Sequence, residues 1–398
     1  MLSFDEARQQ LFSQANCVAL PENVPLAALN GRVLAEPVAA GINVPPEDNS
    51  AMDGFALALA DLPENGQLPV SQKIFAGTAP EPLQPGTAVR LFTGSVIPAG
   101  ADTVVLQEDC DYSDEVVTIR ERPRLGQHIR RAGEDIQAGQ LLLPAGIRLD
   151  ARHLGLLASA GVAGAKVYQP LKVALLATGD ELKQPGEPLN SGQIYNSNLY
   201  MLQAALQAQG YQVTARHVAD DLAALETALQ QLLAAHDVLI SIGGVSVGEA
   251  DLVRTAMAAL GEIQLWKVNM KPGKPLSFGM LSGKPMLGLP GNPVSAFATY
   301  QLFARPYLAR LQGEVAEEPA LPQYPIRLVK PLAPRRDDFI RVRLQWHGGE
   351  AYLEPFSHQG SGVLSSVAWA TGFARIPAAQ TTENGDSVSY IPFTLWGY

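Results

Sequence analysis

The stretch Leu171-Lys172-Val173-Ala174-Leu175-Leu176-Ala177-Thr178-Gly179-Asp180-Glu181-Leu182 carries an apolar run that stops at a charged glycine turn. A run that is apolar at every position from Val173 to Ala177 reads as a strand buried on both faces. The pattern then alternates. Ser197 to Gln209 has helical spacing, Val213 to Val218 is a strand, Asp221 to Ala235 a helix, and Val238 to Ile242 a second buried run. Strand and helix in alternation predict a doubly wound, mostly parallel sheet covered on both faces, with a binding site at the carboxyl ends of its strands.

Four glycine-rich turns begin where these runs stop. They are Ala177-Thr178-Gly179-Asp180-Glu181-Leu182, the loop from Gly243 and Gly244 through Ser246 to Asp251, Lys271-Pro272-Gly273-Lys274-Pro275, and Gly288-Leu289-Pro290-Gly291-Asn292-Pro293. Glycine lets backbone amides approach an oxyanion closely, so the turns suggest phosphate or a similar tetrahedral anion. The carboxylates beside them suggest a metal. Mg²⁺ is served by one or two carboxylates with waters and ligand phosphates, which makes Glu181 and Asp251 the candidate metal ligands. Lys271 and Lys274, with Lys267 upstream, bring cations to a turn stiffened by proline. The last turn feeds a helix from Pro293 to Leu311, whose first amides suit an anion, with Asn292 as its cap and Ser295 as an extra donor. Plainer readings compete: helix caps or solvated charges for the carboxylates, and a solvated surface cluster for the lysines. Asp180 reads as a brace for its turn and Glu249 as a surface charge.

Outward from this core, Ser3 and Glu6 form a capping-box pattern before Phe4, Ala7, Leu11 and Ala15, and Asp150 is placed to cap a helix to Ala160. These two helices are expected to pack together. Between them, short Val/Ile/Leu/Thr runs separated by Pro and Gly read as β-rich. Past Pro322 the chain returns to short strands, among them Ile326 to Val329, Phe339 to Leu344 and Ala351 to Leu353. The expected organisation is a helical linking domain (1–40 plus 140–170), an inserted β-rich domain (41–139), an α/β domain (171–318) and a small C-terminal β domain (319–398). The 398 residues exceed what one core organises, and 47% hydrophobic with 17% charged residues describes an ordinary folded protein. A net charge of -10 argues against a nucleic-acid partner. Two cysteines, Cys17 and Cys110, fit a reducing cytoplasm, and no apolar run is long enough for a membrane span. His128, His153, His217, His236, His347 and His358 are scattered and form no metal cluster.

The N-terminal half has its own dense segments: Pro45-Pro46-Glu47-Asp48-Asn49-Ser50-Ala51-Met52-Asp53-Gly54-Phe55-Ala56, Phe92-Thr93-Gly94-Ser95, and Ile129-Arg130-Arg131-Ala132-Gly133-Glu134-Asp135-Ile136. Taken with the four turns in this order, and with His358-Gln359-Gly360-Ser361, they resemble the MoeA and gephyrin E-domain family of molybdenum-inserting enzymes. The Ser50–Gly54 motif and the GGxSxGxxD pattern through Asp251 carry the resemblance. Glu47 and Asn196-Ser197-Asn198 depart from it, the latter standing where the family form is Asp-Thr/Ser-Asn.

The resemblance implies a MogA-like central domain and a reaction. Molybdenum from molybdate is inserted into adenylylated molybdopterin, AMP is released, and an upstream adenylyltransferase supplies the substrate. It implies Mg²⁺, and a homodimer in which the facing subunit completes the cleft. Asp53, Glu181, Asp251, Lys271 and Lys274 are then the catalytic set. Thr93, Asp135, Asp221, Gly243, Gly244, Ser246, Lys267, Pro290, Pro293 and Ser295 are the substrate-binding set. Competing readings are a molybdopterin adenylyltransferase-like enzyme, which shares the Gly-Gly and Leu-Pro-Gly turns, a gephyrin-like scaffold without catalysis, and an unrelated phosphosugar or nucleotide enzyme.

Overall fold

The computed structural model describes residues 1–243, 252–315 and 320–394. Its centre is a six-stranded sheet in the order Gln212–Val218, Lys172–Thr178, Val238–Ile242, Lys284–Leu289, Pro275–Leu281, Gly261–Lys267. The first three pairings are parallel and the last two antiparallel. The strand alternation decides how both faces are covered. Val173, Leu175 and Ala177 join one core cluster with the helix Ser197–Ala208 and the helical run that starts at Pro293. Ala174 and Leu176 join a second with the helices Leu222–Ala235 and Leu252–Ala258. The doubly wound sheet expected from the sequence is therefore present, with an antiparallel edge.

The run expected as one helix from Pro293 to Leu311 is interrupted. Pro293–Thr299 and Arg305–Leu311 are α-helical, and Tyr300–Ala304 between them is a buried π-helical turn. Insertions of this kind keep a helix continuous while shifting its register.

A second six-stranded sheet lies between residues 54 and 119, in the order Thr103–Leu106, Gly54–Leu57, Ala88–Leu91, Gln67–Ile74, Val116–Ile119, Cys110–Tyr112. Gly54 is demanded by the pairing. A Cβ there would lie 1.9 Å from the Val105 carbonyl oxygen.

Residues flanking this sheet contribute two antiparallel ladders, Pro21–Pro25 with Gly164–Tyr168 and Val38–Ala39 with Leu141–Leu143, beside the helix Ala151–Ser159. Asp150 caps that helix, accepting from the amides of Arg152 and His153. The first helix, Phe4–Phe12, has the expected capping box but stops short of Ala15. Its packing differs from expectation. Phe4 sits 5.4 Å from the Phe303 ring and 4.7 Å from that of Phe339, within the central core cluster. Leu157 of the helix Ala151–Ser159 belongs to a different cluster with Val24, Leu29 and Val167.

The C-terminal sheet runs Met270–Lys271, Asp337–His347, Gly372–Ile376, Ser387–Pro392, Gln323–Pro325, with Glu350–Pro355 paired to Asp337–His347. It is less separate than the sequence suggested. Met270 and Lys271, from the central region, pair in parallel with Asp337 and Asp338.

Candidate active site

The turns at the carboxyl ends of the parallel strands converge. Thr178, Gly179 and Glu181 follow the first strand, Asp220 the second, Gly243 the third, and Pro290 to Pro293 the fourth, and all line one cavity of about 920 Å³. Asn196, Ser197 and Asn198, at the start of the helix Ser197–Ala208, form part of its wall. An open α/β sheet places its ligand site here because strands end and helices begin on this side.

Each turn has a local reason for its shape. Gly179 has φ +135°, and a Cβ on it would lie 2.4 Å from Glu181 Oε2, so the Glu181 carboxylate folds back over a bare backbone. That carboxylate has no hydrogen-bond or ion-pair partner among the described residues. Asp180 and Asp220 bind each other's turns: the Asp220 amide donates to Asp180 Oδ1 at 3.1 Å, and the Asp180 amide to Asp220 Oδ2 at 3.4 Å. His217 Nε2 lies 3.0 Å from the Gly179 carbonyl oxygen. The Gly243 amide donates to the Leu289 carbonyl, and Asn198 Nδ2 donates to the Gly291 carbonyl, tying the third and fourth turns to the wall.

The sequence-derived set divides. Glu181, Gly243, Pro290 and Pro293 line the cavity. Gly244, Ser246 and Asp251, like Glu249, lie outside the described residues. Lys271, Lys274 and Lys267 are exposed and do not line it, although Pro275, next to Lys274, does. Lys271 Nζ lies 3.1 Å from Asp338 Oδ2, a carboxylate that is itself only 12% exposed. Asp221 caps the helix Leu222–Ala235, its Oδ1 accepting from the Ala224 amide at 2.8 Å. Ser295 is buried in the first turn of its helix. Pro293 opens that helix as expected, but Asn292 makes no side-chain cap bond. The amide of Val294 is not free for an anion either, because it donates to the carbonyl of Ser361.

Asp53, Thr93 and Asp135 are not in the cavity of their own chain. Their segments form a knot of their own. Asn49–Ser50 pairs with Ile129–Arg130, the Ser50 amide donates to Ser95, and the Gly94 amide donates back to Ser50. Asp53 Oδ1 accepts from the Thr93 amide at 2.8 Å and the Thr93 hydroxyl at 2.7 Å. The Thr93 amide, then its hydroxyl, and then the charge of Arg90 hold the Asp53 carboxyl below its ordinary range. Asp48 accepts from the Ala132 amide at 2.8 Å and pairs with Arg131 at 2.6 Å, and those bonds, the amide's first, lower its pKa too. Asp135 is exposed.

Sequence reasoning missed Asp220, Asn198 and Arg341. Arg341 is completely buried, and its guanidinium donates to the Gly360 carbonyl at 3.0 Å and to Ser366 Oγ at 2.9 Å. Burial pushes it down to about 10. It fixes the segment 358–361 whose Ser361 carbonyl meets Val294. The alternation around Phe339 marks a strand and gives no sign of a buried cation, whereas Asn198 stands in a segment already marked as a departure.

Three family descriptions match successive parts of the chain: MoeA N-terminal region (domain I and II) over residues 2–161, probable molybdopterin binding domain over 174–310, and MoeA C-terminal region (domain IV) over 330–393. The molybdopterin molybdenumtransferase of Haemophilus influenzae is 41% identical over 317 residues, which is 79% of this chain and 78% of that one. Molybdopterin molybdenumtransferase 2 of Mycobacterium tuberculosis is 37% identical, covering 94% of this chain and 95% of the relative. Among solved structures, a molybdopterin biosynthesis MoeA protein from Pyrococcus horikoshii OT3 superposes with a TM-score of 0.83 at 26% identity, covering 98% of this chain and all of that one.

Proposed function

The chain belongs to the molybdopterin molybdenumtransferase family, and from that premise we propose that it inserts molybdenum from molybdate into adenylylated molybdopterin, releasing AMP. The observation that carries this reading is the cavity at the strand ends, into which the family's central turns converge around an unpartnered Glu181. The adenylyltransferase-like reading is not favoured, because the matches extend well beyond the central domain, over 2–161 and 330–393; the scaffold reading is not favoured, because the similar relatives are molybdopterin molybdenumtransferases.

The chemical problem is to hold molybdate beside the anionic adenylylated molybdopterin and to cleave the phosphoanhydride within the latter, water taking up the phosphoryl bond and AMP leaving. Lys271 and Lys274 supply positive charge near the Pro275 wall, and the turn amides supply dipoles without reorganisation during reaction. Glu181 orients the attacking water, and positioning provides much of the acceleration. Among the described residues no three His, Cys, Asp or Glu side chains converge as a metal cluster. A carboxylate without a protein partner on the wall of this cavity instead fits Mg²⁺, which keeps several waters and needs few protein ligands. Glu181 and Asp251 would hold it, and it would neutralise charge on the bridging phosphates.

No residue of the Asp53 knot lines the cavity of its own chain. The reading therefore takes the enzyme as a homodimer in which the knot of one subunit completes the cavity of the other, with an upstream adenylyltransferase supplying the substrate. Molybdate-dependent AMP release tests the whole. Glu181→Gln and Asp53→Asn are each expected to lower it roughly 10- to 100-fold in folded protein. Full activity in both variants would remove the assignment.

A further inference from the structure

The β-rich sheet carries an exposed ladder of rings and cations that the reaction above leaves unused. Phe75 is 53% exposed. Its ring lies parallel to that of Phe92, with centroids 4.7 Å apart and planes 3° apart. Lys73 Nζ stands 5.7 Å from both ring centres. The Arg90 guanidinium stands 5.6 Å from the Phe92 ring and 4.4 Å from that of Tyr112. Lys73 and Arg90 are register partners on neighbouring parallel strands, so the two cations sit side by side.

Two features of this ladder ask for a ligand. The chain has net charge -10, yet neither Lys73 nor Arg90 makes an ion pair among the described residues; Arg90 donates to the neutral Gln107 and Tyr112 and acts on the Asp53 carboxylate only through space. And a large apolar ring is left in water beside them, although aromatic faces gain by covering one another. Phe92 directly precedes Thr93, which holds Asp53, so the ladder adjoins the knot of motifs.

We propose that Phe75 and Phe92, with Lys73 and Arg90, form a stacking platform for a planar heterocycle that carries phosphate. The ring lies on the open face of Phe75, and the two cations meet the phosphate. The platform rests on the reaction proposed above, whose substrate is such a molecule at both ends, a pterin and an adenine. A phosphate-bearing planar ring is the shared chemistry, and the two ends are distinguished by experiment.

The test is titration calorimetry on the full chain with AMP and with 6-hydroxymethylpterin phosphate, at two salt concentrations. Phe75→Ala is expected to weaken binding of one or both probes roughly 5- to 100-fold, the range lost with one base–aromatic stack. Phe75→Trp should restore it, and Lys73→Gln should flatten its salt dependence. A loss confined to AMP assigns the platform to adenine, and one confined to the pterin phosphate assigns it to the pterin. The proposal is overturned if Phe75→Ala binds both probes within twofold of wild type, or if wild type binds neither. A changed oligomeric mass with unaltered affinity also overturns it, in favour of a subunit contact. If Glu181→Gln loses turnover while Phe75→Ala keeps both affinity and turnover, the platform fails and the reaction stands.

Discussion

Glu181 shows how a single missing side chain shapes a carboxylate on the cavity wall. Its oxygens occupy space that any residue but glycine at position 179 would need. The backbone at Gly179, with φ +135°, adds an independent reason for glycine, because L residues are strained there. Gly179→Ala therefore has two consequences. Strain is expected to cost about 1 to 3 kcal/mol of stability, read as a lower Tm. Displacement of the carboxylate is expected to lower molybdate-dependent turnover further than Glu181→Gln does at matched temperature. If Gly179→Ala loses stability but keeps its turnover, the back-folded carboxylate is not the working one.

At the scale of elements, Asp221 separates two roles that sequence alone merges. As the cap of the helix Leu222–Ala235 it satisfies the Ala224 amide, which asparagine also does. Asp221→Asn is expected to leave the denaturation midpoint unchanged, while Asp221→Ala lowers stability by about 0.5 to 2 kcal/mol. Any activity lost in the asparagine variant would then report a contact with substrate. Caps of this sort were legible because they are local: Ser3 with Glu6, and Asp150 before its helix, lie within a few residues of what they bind. The parallel sheet was legible too, since a strand buried on both faces has no polar positions to spare, as Leu175 to Ala177 show. The rest depended on partners far along the chain. Apolar spacing showed that Phe4, Ala7 and Leu11 face a core, and could not say that this core contains Phe303 and Phe339. Nor does anything near Arg341 announce the Gly360 carbonyl that it holds. In the site itself, the turns were readable from glycine and charge, whereas Asp220 and Asn198 enter only because the fold folds their segments against Asp180 and Gly291.

In the whole molecule, one seam joins the N-terminal ladders to the central domain. Arg148 pairs with Glu314 at 2.8 Å, with both side chains mostly buried, and donates to the Gly31 carbonyl, while the Val315 amide donates to Gly146. Arg148→Ala would leave Glu314 partly buried without its partner, and is expected to lower stability by roughly 1 to 3 kcal/mol in a urea melt. The Lys271 turn is tied in a different way, through two residues added to a sheet built from the far end of the chain. During synthesis the stretch that braces it emerges from the ribosome some sixty-seven positions later. Until then the turn is held by its own hairpin and by Leu2 alone, so a shortened product would carry Lys271 without the carboxylate that anchors its ammonium.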